Sequence, residues 1–204
     1  MAHATHAAPA HAGHPQTSTG LSNIKLGMWA FLGSECLLFG ALITSYILYR
    51  GRAVPGTKTP HDVYDIPYSS VSSFVLLLSS LTMVLALSAI QRGDQEKLRA
   101  WLMATALLGM TFIAGQVYEF TAFVHEGLSI KSNASTSAFF TLTGFHGAHV
   151  TGGILMLLSL FGMSLDGRLP TERAEAVEMV GLYWHFVDIV WIVIFTVVYL
   201  IPAK

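Results

Sequence analysis

Five stretches of the chain are apolar over bilayer-spanning lengths, and short polar segments separate them. They run at about 24–50, 68–90, 98–124, 138–164 and 176–201. A hydrocarbon core about 30 Å thick takes roughly 20 helical residues, so each stretch can cross once. No water reaches that core to satisfy an open backbone, so each crossing must be helical. The pattern predicts an all-α fold, a polytopic bundle of five transmembrane helices over residues 23–204. Residues 1–22 are expected to be a disordered tail of Ala, His, Pro, Thr and Ser. The tail has no apolar h-region and so does not read as a cleaved signal peptide. His3, His6, His11 and His14 recur in it, and short His-rich tracts can bind metal.

The connections carry the breakers. Pro55, Gly56, Pro60 and Pro67 mark a polar loop,. Residues 91–97 read as a short charged hairpin, and residues 125–137 and 166–175 as polar connections. In the first span, Gly27, Ser34, Ala41 and Ser45 set a small stripe on one helix face, where another helix can approach,. The second span has no charge and reads as packing material. In the third, Gly109 and Gly115 are close-packing points, while Gln116 and Glu119 form a polar patch.

Composition agrees with a membrane protein. Of 204 residues, 53% are hydrophobic and 11% charged, against about 25% charged in globular chains. A net charge of −1 gives no basic surface for nucleic acid,. Cys36 stands alone, which excludes an internal disulfide and a cysteine-rich metal site,. Lys25, Arg92, Lys97, Arg99, Arg168 and Arg173 would lie inside with a cytoplasmic N-terminus. Arg50, Arg52, Lys58, Lys131 and Lys204 would lie outside, so six against five favours that orientation,.

The candidate chemistry is a set of ionisable groups inside these spans. Tyr183-Trp-His-Phe-Val-Asp-Ile-Val-Trp191 puts His185 and Asp188 on one helix face, with Trp184 between bulky neighbours,. An Asp at a helix centre costs roughly 2.5–3.5 kcal/mol on insertion scales, so the pair must face protein, a headgroup or water. Glu35 sits mid-span with no neutralising partner in its own helix. It is either a neutral acid, favoured by desolvation, or paired across an interface. His146 and His149 share a face of the fourth span. They could be half of a haem or copper site, with His185 the available third histidine. The alternative is a metal-free polar network of Glu119, His146, His149, His185 and Asp188 that ties helices together or grips a lipid headgroup, with Trp184 beside it.

Four motifs together are specific. Leu32-Gly-Ser-Glu-Cys-Leu-Leu-Phe39, Gly115-Gln-Val-Tyr-Glu-Phe120, Thr143-Gly-Phe-His-Gly-Ala-His-Val-Thr-Gly-Gly153 and the Tyr183–Trp191 run resemble, in order and spacing, subunit III of the haem–copper oxidases. The resemblance spans about 24–201. It implies a non-catalytic subunit of a respiratory cytochrome c oxidase, with no redox cofactor on this chain and with haem and copper in subunits I and II. Partners would be those subunits, membrane lipids, and cytochrome c indirectly through subunit II. The setting would be the bacterial plasma (inner) membrane. Glu35 matches an intramembrane carboxyl of the family, linked to bound phospholipid and to sustained proton uptake by subunit I. Many members have seven spans, and this chain corresponds to the last five. One wall of the family's lipid cleft would then come from another chain.

Other readings stay open. The same subunit serves quinol oxidases, and a related accessory protein accompanies nitric oxide reductases. A small proton-coupled transporter is a reading of another class, though no paired inverted repeats appear. A stand-alone enzyme lacks support: no nucleophile–base–orienter set and no phosphate-cradling loop are visible.

Overall fold

The computed structural model describes residues 20, 22–50, 52 and 66–201. The histidines of the expected tail and most of the 50–67 loop lie outside the described residues. Within them the chain is helical: α1 (Asn23–Tyr49), α2 (Ile66–Gln91), α3 (Gln95–His125), α4 (Ala134–Leu165) and α5 (Ala174–Phe195). A 3-10 turn, Thr171–Arg173, leads into α5, and a π-helical turn, Thr196–Leu200, continues it. All five helices are long and apolar enough to cross a membrane.

Helix ends explain where the observed spans outrun the expected ones. Hydropathy places the third and fourth starts at 98 and 138, but the helices begin at Gln95 and Ala134. Polar caps start them earlier. The Asp94 carboxylate accepts from Lys97 N–H at 3.1 Å, and Asn133 Oδ1 accepts from Thr136 N–H at 2.7 Å,. The Lys97 ammonium, 2.8 Å from Asp94, also holds that carboxyl below its ordinary range. Gly93 makes the α2–α3 turn tight: at φ 75° it lets Asp94 N–H reach back to Ala89 O, a left-handed cap that suits glycine,.

Helix α5 is the hub, packed on α1, α2 and α4. Its two buried tryptophans reach into the bundle. The Trp184 indole lies between Gly109 of α3 and Gly153 of α4. A Cβ at either glycine would come within 2.6 or 2.7 Å of its ring. The indole N–H donates to Ser79 Oγ at 2.9 Å. Trp191 meets Phe112 edge-on at 4.8 Å and donates to Ser73 Oγ at 2.8 Å. Lipid tails are as apolar as these rings, so close contact and satisfied N–H groups, rather than escape from water, hold the helices together.

The small-residue stripe of α1 is not packed against a helix among the described residues. Ser34, Ala41 and Ser45 are exposed, and a Cβ on Gly27 would meet open space. Instead α1 packs through Leu32, Phe39 and Tyr46, seven residues apart on another face. Bulk on that face fills the gap to α4 and α5, so the smooth face is left outward.

The glycine clasp around Trp184 gives a test. Gly153→Ala should lower stability by about 1–3 kcal/mol through overpacking, seen as an earlier thermal midpoint in detergent. Gly162→Ala, whose new methyl meets open space, should not. Equal midpoints for the two variants contradict the clasp.

Candidate functional site

Glu35 lies near the middle of α1, about 18 Å along the axis from Asn23 at 1.5 Å per residue. Its Oε2 is 3.0 Å from His149 Nε2 on α4, and both side chains are largely buried. His149 Nδ1 is 2.7 Å from Phe145 O. A carbonyl can only accept, so Nδ1 carries a proton. One further proton must then lie between Nε2 and the carboxyl. It sits on the imidazole, giving an ion pair, or on the carboxyl, giving two neutral groups. Either way the pair is neutral overall, as a low-dielectric site requires. Phe39 covers it edge-on, 5.0 Å from the His149 ring, and Tyr183 OH donates to His149 O at 2.9 Å.

A second cluster joins α2 to α5. Ser80 Oγ is 3.0 Å from His185 Nδ1 and donates to Asp188 Oδ2. A third joins α2, α3 and the π-helical turn. Glu119 accepts from Ser69 Oγ at 2.7 Å and from Tyr199 OH at 3.3 Å. The wider π turn, closed by Ile201 N–H to Thr196 O, carries Tyr199 to that carboxyl,.

These placements correct the expectation of one network. Glu119, His149 and the His185–Asp188 pair fall into separate clusters, and His146 joins none. Two geometric facts separate them. Residues three apart on a helix differ by about 60° in azimuth, enough to aim His149 at α1 and His146 at the bundle interior. Asp188 on α5 and Tyr199 on the π-helical turn are 11 positions apart, about 16 Å at helical rise, so Glu119 and Asp188 sit at different depths. His146 is fully buried and stacks on Trp191 at 4.8 Å, with Phe112 edge-on at 5.9 Å. Neither of its ring nitrogens has a hydrogen-bond partner among the described residues. No group of three His, Cys, Asp or Glu side chains placed to hold a metal ion occurs among the described residues. Trp184 is likewise a packed core residue, bonded to Ser79.

The second span is more than packing material. Ser69, Ser73, Ser79 and Ser80 of α2 serve Glu119, Trp191, Trp184 and the His185–Asp188 pair in turn. The signal for it was there: hydroxyls recurring at near-helical spacing in a charge-free span. Tyr199 carried no comparable mark, because it reaches Glu119 through the π turn.

Fold and site together define a polytopic helical membrane protein in which Glu35, Glu119, His149, His185 and Asp188 are hydrogen-bonded between helices. The sequence model described as cytochrome c oxidase subunit III matches residues 7–202. A cytochrome c oxidase subunit 3 from Bacillus sp. (strain PS3) is 39% identical over 87% of this chain and 86% of its own length. A quinol oxidase subunit 3 from Bacillus spizizenii is 36% identical over 98% of this chain and 97% of its own. A cytochrome bo(3) ubiquinol oxidase subunit 3 from Pseudomonas aeruginosa is 36% identical over 93% and 90%. The chain belongs to the cytochrome c oxidase subunit III family, the third subunits of haem–copper oxidase complexes.

The α2 serines can be tested singly. Ser80→Ala leaves His185 Nδ1 and Asp188 Oδ2 without their shared partner. It should cost about 1–2 kcal/mol of stability, read as a lower thermal midpoint. Ser70→Ala, on an exposed hydroxyl that bonds only its own helix, should change little. A Ser80→Ala midpoint equal to the parent's would contradict the linkage.

Proposed function

We propose that this chain is the non-catalytic subunit III of a respiratory cytochrome c oxidase. It supports assembly, holds phospholipid and sustains proton uptake by subunit I during oxygen reduction. The observation that carries this reading is the neutral Glu35–His149 pair in mid-membrane, on a chain of the subunit III family. A carboxyl and an imidazole that share one proton can exchange it without placing net charge in the bilayer. That is the chemistry a proton-linked support site needs, and it requires no redox centre on this chain. Haem and copper would belong to subunits I and II, and cytochrome c would dock on subunit II. The membrane would be a bacterial plasma membrane, with the N-terminus cytoplasmic. The cytochrome c reading draws on the Bacillus sp. relative, and a second relative of that name supports it, 38% identical, from Bacillus subtilis. The long overlap with quinol oxidase subunits favours quinol as the second reading. Membership of the family sets the transporter reading aside.

Material purified by a tag on this chain tests the proposal. Haem A bands, a copper-bearing subunit II and oxygen uptake driven by reduced cytochrome c are expected. Haem without that copper subunit, with uptake driven by quinol, transfers the chain to the second reading. A preparation without haem contradicts both. Within such a complex, Glu35→Gln should keep the haem spectrum and shorten the lifetime of turnover. Lost haem absorbance, or an unchanged lifetime, would count against the role given to Glu35.

A further inference from the structure

Between α3 and α4 lies a cavity of about 190 Å³. Val117 and Gly144 on its rim are exposed, so it opens to the membrane face. Its floor is glycine. A Cβ on Gly144 would meet open space, and one on Gly147 would lie 3.7 Å from Gln116 Oε1. Phe120 forms one wall. Thr143 and Thr151 also line the cavity, but their hydroxyls donate at 2.8 Å to Phe139 O and Gly147 O of their own helix. Gln116 is different. It is 6% exposed, it lines this cavity, and its carboxamide has no hydrogen-bond partner among the described residues. The polar patch of α3 is therefore divided: Glu119 is bonded to Ser69 and Tyr199, while Gln116 is left over.

Depth, polarity and size each restrict what can enter. Gln116 lies about 9 Å from the midpoint of α3, and Gly147 about 4 Å from that of α4, at 1.5 Å per residue,. The hydrocarbon core reaches about 15 Å either side of its centre, so lipid headgroups do not extend to the amide. An unpaired N–H in hydrocarbon is costly. An acyl chain would leave it unpaired, because a methylene accepts nothing. A ligand that carries an oxygen at this depth removes the cost. An apolar cavity of roughly 150 Å³ takes up one benzene ring, so about 190 Å³ holds one ring with oxygen substituents. A helix, about 10 Å across, is too wide for it.

We propose that the α3–α4 cavity binds the head ring of a quinone or quinol, with the apolar tail left in the lipid. Quinones are lipophiles that combine one flat ring, ring oxygens and a tail that keeps them in the hydrocarbon. Gln116 Nε2–H donates to a ring oxygen. In the quinol form a ring hydroxyl also donates to Gln116 Oε1, so one carboxamide serves both forms. The glycine floor lets the flat ring lie close to α4, and Phe120 gives it an aromatic neighbour. Binding alone is involved, with no electron or proton transferred on this chain. The site goes beyond the subunit III reading and holds for either electron donor.

The test uses the complex purified by a tag on this chain. It is irradiated with an azidobenzoquinone that carries a short alkyl tail, and the labelled peptides are mapped by mass spectrometry. Label within residues 113–120 or 143–151 is expected, displaced by excess parent quinone but not by an alkylbenzene of equal tail. Label elsewhere on this chain, no label on it, or equal displacement by the alkylbenzene overturns the site. None of these outcomes touches the subunit III reading, which the haem content of the same preparation decides. Affinity is read as the parent quinone concentration that halves the labelling of this chain. Gln116→Leu should raise it about threefold to tenfold, the span of one hydrogen bond. Gly144→Leu, which fills the cavity from a position where a Cβ meets nothing, should abolish labelling. Gly162→Leu, at another open glycine, should leave it intact. Unchanged affinity in Gln116→Leu or Gly144→Leu, at the parent's thermal midpoint, overturns the site.

Discussion

A charge in the middle of a bilayer has nowhere to go, and this fold is arranged around that constraint. Glu35, Glu119, His149, His185 and Asp188 each meet a polar group from a different helix. The Asp188 carboxyl alone would cost roughly 2.5–3.5 kcal/mol at a helix centre. A bond to a neighbouring helix removes much of that cost only while the helices stay together. The polar groups therefore contribute specificity: they fix which helices pair and in what register. Lipid would otherwise solvate any apolar helix face equally well.

Packing and polarity divide the work along the bundle. The tryptophans of α5 fill its interior, and small residues on α3 and α4 make room for Trp184. Serines of α2 then accept hydrogen bonds from the indole N–H groups and reach the carboxyls beyond them. Among the described residues, a span without a single charged residue thus makes four hydrogen bonds to α5 and three to α3. His146 belongs to the aromatic side of this division. Its ring is packed as a plane, stacked on Trp191.

Much of this was legible in the residues. Five spans follow from hydropathy, because a bilayer imposes one length and one backbone form on anything that crosses it. Glu35 could be marked as needing a partner, because its own helix offers none. What could not be read was which partner. His146 and His149 look alike in sequence, and only the rotation of α4 against α1 separates a proton-sharing base from a stacked ring. The small stripe on α1 misled for the same reason: it signals a face fit for close approach and says nothing of which helix approaches. The π turn was invisible because a wider turn has no residue code of its own. Family membership, by contrast, was carried by short motifs whose order leaves little freedom.

The central claim is that Glu35 and His149 act as one unit across the α1–α4 contact. A double-mutant cycle on the stability of the purified protein tests it most directly, with Glu35→Gln, His149→Phe and the pair together. The account predicts strong non-additivity, a coupling of about 1 kcal/mol as for other interhelical bonds in lipid. The double variant should be little worse than the worse single one. Losses that simply add would mean the two groups do not act as one unit, and would contradict the account.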